Sequence, residues 1–347
     1  MDHDAFNLML RAAYRQRTSI RRNVRLPSDN GIRFGGDTKC VTLFLSAAAV
    51  QSNMQSDAAA FEGWSLVLME WCDVARIDID WDEPADAANG HYQRFLYRLR
   101  HFEALLGPDV VSIAKADRLG RSHIGNGNGA VATINVAGRA DTTSSPSMPG
   151  SEADLEKRLA GANPTTERDR LMAALGLVSL DRQMPVGVFD GPPGRVGAIF
   201  TGGKSAVDLI GLDRDGALWL LELKTASNFK VGALSELFFY SMVLNDARDG
   251  RLIFHGGPAG ARATITPAQI RAAPRIHARL LAGSSHPLLT EAVFGKLTTA
   301  AVARGWAVDY GYLSVDPYLD KEPAAVAEVE RPSREAPTAE CCADRLG

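Results

Sequence analysis

The sequence predicts an α/β protein, because short apolar runs typical of strands alternate along the chain with longer segments of helical periodicity. At 347 residues and 46% hydrophobic content, the chain is long enough for two domains with sizeable cores. A stretch rich in Ser, Thr, Pro and Gly at 138–150 predicts a linker between them. We therefore expect an N-terminal α/β domain at 1–137, a second domain at 151–316, and a disordered tail at 317–347, where Ala, Pro and Glu dominate.

The first domain contains a small set of predictable elements. They are an apolar run at 41–45, one or two helices at 47–75, an alternating strand at 74–80 and an amphipathic helix at 91–107 that Gly107 closes. That last helix carries Arg94, Arg98 and Arg100, for which a solvated outer face is favoured over a nucleic-acid contact. This half of the chain resembles no family that we recognise.

The first 33 residues form a basic N-terminal arm. Its seven arginines are Arg11, Arg15, Arg17, Arg21, Arg22, Arg25 and Arg33. Such a cluster could contact phosphates, since Lys and Arg neutralise the backbone of nucleic acids. The alternative, a solvated and partly disordered arm, is the favoured interpretation.

The second domain begins with helices and continues with strands. The predicted elements are helices at 151–161 and 166–177, strands at 181–189 and 197–200, two apolar β-runs at 206–212 and 217–223, a largely buried helix at 230–246 and a strand at 252–256. Two more helices, at 267–282 and 288–304, and a final strand at 309–315 are expected to support this domain.

The two apolar runs flank an Asp-Arg-Asp-Gly sequence at 213–216, which predicts a β-hairpin. A three-residue loop with Gly216 in a left-handed conformation would pair Asp213 with Ala217, and so Asp208 with Glu222. Directly opposed residues and residues two apart on a strand share one face, so Asp208, Glu222 and Lys224 would project together. A two-residue loop would separate them, so the interpretation depends on the turn.

Charged side chains inside apolar strands are costly to bury unless they pair or bind a metal. Two carboxylates on adjacent strands form a hard, oxygen-rich site that suits Mg²⁺ or Mn²⁺. Lys224, two residues beyond Glu222, could position the attacking water, help to deprotonate it, or stabilise a pentavalent phosphorane. Together these groups suit metal-assisted phosphodiester hydrolysis.

The pattern of Asp208, thirteen residues, and then Glu222-Leu223-Lys224, followed by the helix of 230–244, resembles the PD-(D/E)XK nuclease superfamily. The resemblance covers residues 151 to about 256 and implies a restriction-endonuclease-like core of order α-β-β-β-α-β. It also implies that Asp208 and Glu222 bind the divalent metal and that Lys224 is catalytic. Val207 stands where the proline of the family name would be, and many members of the family lack that proline.

Five further residues are candidates for the same site. In many members of the family the first core helix lends a glutamate, which makes Glu156 the candidate, with Glu152 behind it. Glu236 and Tyr240, spaced i and i+4 on the helix after the hairpin, could face the metal, or could simply cap the sheet edge. Lys230 at the start of that helix is the candidate for nucleic-acid binding.

These observations predict a metal-dependent nuclease that hydrolyses DNA, with RNA not excluded as the substrate. The alternative is a catalytically silent module of the same fold that binds nucleic acid or another partner. A net charge of −3 calls for only a local basic groove. No apolar run reaches 18 residues, which predicts no membrane partner, and the N-terminus lacks the apolar core of a signal peptide. The spacing of the four cysteines fits neither a zinc site nor a disulfide framework, so a cytoplasmic protein is expected. The oligomeric state stays open, with a homodimer among the options.

Overall fold

A computed structural model gives the fold of the chain. It describes residues 1–20, 22–121, 132–134, 148–161, 163–193, 197–201, 205–225, 230–254 and 264–319. Positions 138–147 of the predicted linker at 138–150 lie outside the described residues. Positions 320–347 of the predicted disordered tail at 317–347 also lie outside them.

Helices and strands alternate along the described residues, as expected of an α/β protein. The helices are α1 (His3–Arg17), α2 (Ala47–Val50), α3 (Phe61–Trp71), α4 (Gly90–Leu106), α5 (Glu152–Ala160), α6 (Thr166–Leu175), α7 (Gly232–Arg248), α8 (Pro267–Ala272) and α9 (Glu291–Ala303). The strands are β1 (Ile32–Gly36), β2 (Cys40–Leu45), β3 (Arg76–Trp81), β4 (Val111–Ile113), β5 (Thr133–Ile134), β6 (Leu177–Pro185), β7 (Val188–Phe189), β8 (Ala206–Asp213), β9 (Leu218–Lys224), β10 (Ile253–Phe254), β11 (Ile276–Ala282) and β12 (Val308–Ser314).

The described strands form three mixed sheets. The first has the order β1-β2-β3-β4, antiparallel between β1 and β2 and parallel beyond. The second is small and has the order β10-β5-β7. The third has the order β12-β11-β9-β8-β6, in which β6, β8 and β9 form an antiparallel meander and β11 and β12 add in parallel to β9.

The five-stranded sheet is covered on both faces. On one face, α5 and α6 pack on leucines that include Leu209, Leu221 and Leu223. On the other face lies α7, which is buried from Gly232 to Ala247 and packs on β9 and β11. The predicted burial of this helix is confirmed, because it lies between the sheet on one side and α3 and α4 on the other.

The predicted basic arm is a docked helix instead. Asp2 caps α1 by accepting a hydrogen bond from the backbone N–H of Ala5. Phe6, Leu10 and Tyr14 are buried along one side of the helix. The interpretation of a solvated, partly disordered arm is therefore wrong for residues 3–17, since the i, i+4, i+8 spacing of these three side chains builds an apolar face.

Helix α4 also departs from the prediction, since Arg94 and Arg98 are buried rather than exposed on a solvated face. Arg98 forms an ion pair with Glu62 of α3, with its Nε 2.7 Å from Glu62 Oε1. The guanidinium of Arg94 contacts His91 Nδ1 at 2.7 Å. Both arginines lie inside the molecule because α4 packs against α3, α7 and α9 rather than lying on one sheet.

Two predictions for the chain after α7 are correct only in part, and the helix predicted at 267–282 is confined to α8 at Pro267–Ala272. Residues 253–254 do form a strand, but it joins β5 in the small sheet. The strand that pairs with β9 after α7 is β11, inside the segment predicted as a helix at 267–282. Pro274 is the physical reason, because the residue before a proline disfavours the helical conformation, and Ala273 is extended with ψ of 124°. Residues 197–201 contribute only an isolated bridge at Ala198 where a strand was predicted.

The two halves of the chain share one hydrophobic core, which runs from Phe6 to Tyr310. The loop at 51–56 approaches the start of α7 so closely that a side chain at position 232 would collide with the backbone of Gln55, so Gly232 is required there. The indole N–H of Trp71 donates to the carbonyl of Leu288 at 3.0 Å across the same interface. The predicted division into independent domains stays a prediction, but the halves are packed together over this surface. No helix in the described part of the chain is long and apolar enough to cross a membrane.

Candidate active site

The turn at 213–216 sets the geometry of the site. Gly216 has φ of 78°, and the Asp213 carboxylate accepts hydrogen bonds from the backbone N–H groups of Asp215 and Ala217, both at 2.9 Å. The hairpin pairs run from Leu212–Leu218 to Leu209–Leu221, and the same register continued by one residue places Asp208 opposite Glu222. The predicted three-residue turn and its register are therefore confirmed.

Lys224 lies at the centre of the site, buried at the end of β9. Its ammonium is 2.6 Å from Glu222 Oε1 and 3.0 Å from Glu236 Oε2. Burial disfavours the ammonium, but the Glu222, Glu236 and Asp208 carboxylates outweigh burial and raise the pKa of Lys224. Lys224 is consequently a cation at neutral pH.

Glu236 projects from α7 and is held by donors from three directions. Gln55 Nε2 lies 2.6 and 2.7 Å from its two oxygens, and the Tyr240 hydroxyl donates to Oε1 at 3.0 Å. Burial favours the neutral acid, but Lys224 and the hydrogen bonds to the carboxylate outweigh it and lower the pKa of Glu236. The structure therefore brings Glu236 and Tyr240 into the site, where Glu236 is an ionised partner of Lys224.

Asp208 faces the same cluster from β8. One of its oxygens accepts a hydrogen bond from the backbone N–H of Leu223 at 2.9 Å. Burial raises its pKa to about 7, while Lys224 opposes the shift and Glu156 and Glu236 add to it. Since Glu156 acts electrostatically on Asp208, the helix α5 brings Glu156 to the same end of the sheet. Burial likewise raises the pKa of Glu156.

Glu222 is the least satisfied group of the cluster. Its Oε2 atom is buried and receives no hydrogen bond from the part of the chain that the structure describes. Burial, and then the neighbouring Asp208 and Glu236 carboxylates, raise the pKa of Glu222 well above its ordinary value. A buried carboxylate oxygen without a donor is uncommon in folded proteins, which marks this atom as a position prepared for a further partner.

The donor set fits a hard divalent cation. Asp208 and Glu222 offer carboxylate oxygens, one of which has no donor, and the cluster carries more carboxylates than its single ammonium balances. Mg²⁺ commonly binds through one or two carboxylates and keeps several waters. Among the described residues, no group of three or more His, Cys, Asp or Glu side chains is arranged to hold a metal by itself.

A cavity of about 210 Å³ opens beside Lys224. Its lining comes from both halves of the chain and consists of Asn53, Gln55, Ser56, Lys224, Lys230 and Ala233. Lys230 is exposed just before α7 and forms no ion pair with the carboxylate cluster among the described residues, so it lies beside the cluster rather than in it. Among the described residues, no acidic side chain lines this cavity, which suits an anionic ligand.

Two residues of the site were missed by sequence reasoning. Gln55 lies 181 positions before Glu236, in a loop without any recognisable pattern, so no sequence signal identifies it. Gln183 hydrogen-bonds Glu156 and has φ of 52°, a left-handed conformation that is uncommon for a residue other than glycine. Strained backbone of this kind is often found at functional sites, and the sequence gives no warning of it.

Comparison of the chain with protein-family models, with curated proteins and with solved structures finds no match.

Proposed function

We propose that the chain is a metal-dependent nuclease that hydrolyses phosphodiester bonds of DNA, RNA being the next substrate to test. The observation that carries this proposal is the convergence of Asp208, Glu222 and Lys224 at one end of a hairpin. A charge-rich cluster whose carboxyl pKa values are raised by burial and by like charges is typical of a functional site rather than of a structural ion pair. The resemblance to PD-(D/E)XK nucleases supplies the reaction class.

Asp208 and Glu222 would hold the cation, with Glu156 as a third carboxylate at the same end of the sheet. When bound, Mg²⁺ or Mn²⁺ would supply Lewis-acid polarisation of a phosphoryl oxygen and would make water more acidic. Binding a cation would also relieve the repulsion between the carboxylates that raises their pKa values.

Lys224 would act as a positive charge and hydrogen-bond donor. Since its pKa is raised, it is not suited to be a general base at neutral pH, and its role would be to stabilise negative charge that develops on the phosphorane. Of the roles open to it from the sequence, this one agrees with its environment. Glu236, Gln55 and Tyr240 would hold the ammonium in position, because Glu236 is clamped by both of the other side chains.

The substrate would reach the site through the cavity that Lys224 and Lys230 line. Lys224 is only 2% exposed, yet it forms part of the wall of this opening. The lining from Asn53 and Ser56 adds neutral hydrogen-bonding groups and no negative charge. A phosphate group would therefore find donors at the cavity mouth before it reaches the carboxylates.

The alternative is a catalytically silent module that binds nucleic acid or another partner. The observation that favours it is the pairing of Lys224 with two carboxylates, since a closed, buried network of this kind can also be structural. The two functions differ in whether DNA is cut.

Incubation of the purified protein with linear, circular and single-stranded DNA and with RNA, in Mg²⁺, Mn²⁺ or EDTA, separates them. We expect cleavage with either metal, none in EDTA, and a loss of about 100-fold or more in Glu222→Gln, which keeps the side-chain volume and removes a carboxylate. Binding without cleavage under all of these conditions would leave the silent module as the better description.

A further inference from the structure

A second cavity of about 290 Å³ lies far along the chain from the catalytic residues, between α1 and the segment at 20–24. Its polar lining consists of Arg11, Arg15, Arg22 and Asn23, and Tyr14 is among its less polar walls. Within the part of the chain that the structure describes, no acidic side chain lines it. Three guanidinium groups around one opening form a strongly basic site.

These three arginines differ from Arg17, which lies at the end of the same helix as Arg11 and Arg15. Arg17 pairs with Asp73 at 3.0 Å and donates to the carbonyl of Glu70 at 2.5 Å. The guanidinium groups of Arg11, Arg15 and Arg22 have neither an ion pair nor a hydrogen bond within the described ranges. Since the chain supplies carboxylates for Arg17 and leaves these three unpaired, their charge is available to an external anion.

A histidine beside this surface adds no charge to it. His286 is close enough to Arg22 for the two to interact, and burial, followed by Arg22, lowers the pKa of His286 to about 4. His286 is therefore neutral at pH 7. The guanidinium group is the side chain best suited to phosphate, because it presents a planar fork of donors that can bind two oxygens at once.

The segment that follows the arginine cavity along the chain lines a groove that adjoins the catalytic cavity. The segment after Arg22 runs beside α1, where the backbone N–H of Leu26 donates to Asn7 Oδ1 at 3.0 Å. The groove is lined by the cationic Arg25 and Lys230, by the neutral Asn7 and Ser56, and by the acidic Asp4, Asp29 and Asp57, so its charge is mixed. Ser56 and Lys230 belong to the lining of the groove and of the catalytic cavity alike.

We propose that Arg11, Arg15 and Arg22 form a phosphate-binding site for the nucleic-acid strand, remote from the bond that is cleaved. The strand would run from the Lys224 cavity past Lys230 and along α1 to the three arginines. This inference rests on the proposed function for the choice of nucleic acid as the anion. It makes the N-terminal half a substrate-binding element rather than a support for the second half.

The test compares two triple variants of the full chain that remove the same charge. One is Arg11→Ala with Arg15→Ala and Arg22→Ala. The control is Arg214→Ala with Arg271→Ala and Arg275→Ala, three arginines at the turn end of the hairpin and before β11, opposite the catalytic end of the sheet. Binding of labelled single-stranded and duplex DNA is measured by fluorescence anisotropy in EDTA over a range of salt concentrations.

We expect the first variant to reduce the slope of log Kd against log salt concentration by about 2 to 3. Each phosphate contact that is lost lowers the number of counterions released when the protein binds DNA. The control is expected to keep the slope of the unmodified protein. Equal slopes in the two variants would overturn the inference, as would an absence of DNA binding by the unmodified protein. Melting temperatures verify that both variants fold.

The two proposals fail in different ways. If the unmodified protein cleaves DNA and the arginine variant keeps its salt slope, only the inference about the arginine cavity is wrong. If DNA binds with an arginine-dependent slope and no metal supports cleavage, the arginine site stands and the nuclease function is wrong.

Discussion

Two buried clusters of charged side chains lie along α7, one near each end, and they differ in how well their charges are satisfied. Near the start, Glu236 joins Asp208, Glu222 and Lys224. In the last turn, Asp246 is surrounded by donors. Both clusters connect α7 to other elements, and both contain a carboxylate that is almost fully buried.

The Asp246 cluster has a donor for its charge on every side. Tyr97 donates to Asp246 at 2.8 Å, Arg251 lies at 2.7 Å and His101 at 3.1 Å. Burial would raise the pKa of Asp246, but His101, Arg251 and the hydrogen bond from Tyr97 outweigh it and lower the pKa. This is the arrangement expected of a structural cluster, in which one buried charge is fully compensated.

The cluster around Lys224 has the opposite balance. Its carboxylates outnumber its ammonium, the pKa values of Asp208 and Glu222 are raised, and Glu222 Oε2 has no donor within the described residues. Burial is the same in the two places, so burial alone does not mark a site. A buried carboxyl group whose negative charge the neighbouring cations do not compensate is instead typical of a functional site, because keeping it there costs folding free energy.

The largest expected difference between the clusters is in catalysis. Lys224→Gln keeps a side chain with N–H donors and removes the positive charge, so it should lower the cleavage rate by about 100-fold or more, the range for a lost electrostatic contribution. DNA affinity should change little, since the charge acts mainly on the transition state. Single-turnover cleavage and gel-shift measurements separate the two effects.

The matched control is Arg251→Ala, which removes a cation from the Asp246 cluster. It should leave the cleavage rate of the folded protein unchanged. A Lys224→Gln protein that cleaves at the full rate would mean that the activity belongs to another site or to a contaminant.

A smaller difference is expected in stability. Asp208 has its pKa raised to about 7 from an ordinary value of 3.8, so its contribution to stability falls as the pH rises through 7. At pH 8 in EDTA, Asp208→Asn should therefore increase the free energy of unfolding by about 1 to 3 kcal/mol, since the amide can still accept from the N–H of Leu223.

The same variant tests the metal. Mg²⁺ should raise the melting temperature of the unmodified protein, because a ligand that binds only the folded state stabilises it. Asp208→Asn should lose most of that increase. If Mg²⁺ raised the melting temperature of the variant by as much as that of the unmodified protein, the metal would not bind at Asp208.

The smallest effect is expected at the compensated cluster, with the opposite sign. Asp246→Asn should decrease the free energy of unfolding by about 1 to 2 kcal/mol at pH 7, because Tyr97 and His101 keep an acceptor while Arg251 loses its charged partner. The folded pKa of Asp246 is below the ordinary 3.8, so its stabilisation is present above that pH and disappears as the pH falls through the folded pKa.

Urea denaturation at pH 7, 5 and 3 measures this dependence. The difference between the variant and the unmodified protein should be constant from pH 7 to 5 and narrow towards pH 3. If Asp246→Asn increased the free energy of unfolding at pH 7, the negative charge of Asp246 would be as poorly compensated as the carboxylates around Lys224. The proposed difference between the two clusters would then be wrong.

The hairpin is the region that could be predicted best, and the reason is that its interactions are local. The Asp213 carboxylate bonds to backbone groups two and four residues away, and Gly216 supplies the left-handed residue that the turn requires. Those contacts fix the register of β8 and β9, and the register puts Asp208, Glu222 and Lys224 on one face. The helix predicted at 267–282 ends early, after Ala272, also for a local reason, since Pro274 was present in the sequence as a signal.

The sequence by itself thus determined the α/β class, the buried helix α7 and the grouping of Asp208, Glu222 and Lys224 at one end of the hairpin, because each depends on periodicity or on a turn of a few residues. Only the tertiary structure decided which distant groups complete the site and which charges stay unpaired. Gln55 hydrogen-bonds Glu236, which lies 181 positions later, and Glu62 of α3 forms an ion pair with Arg98 of α4. Arg17 forms an ion pair with Asp73, whereas the guanidinium groups of Arg11 and Arg15 on the same helix have no partner among the described residues. Such pairings follow from how whole helices and sheets pack, and the spacing of residues along the chain carries no record of them.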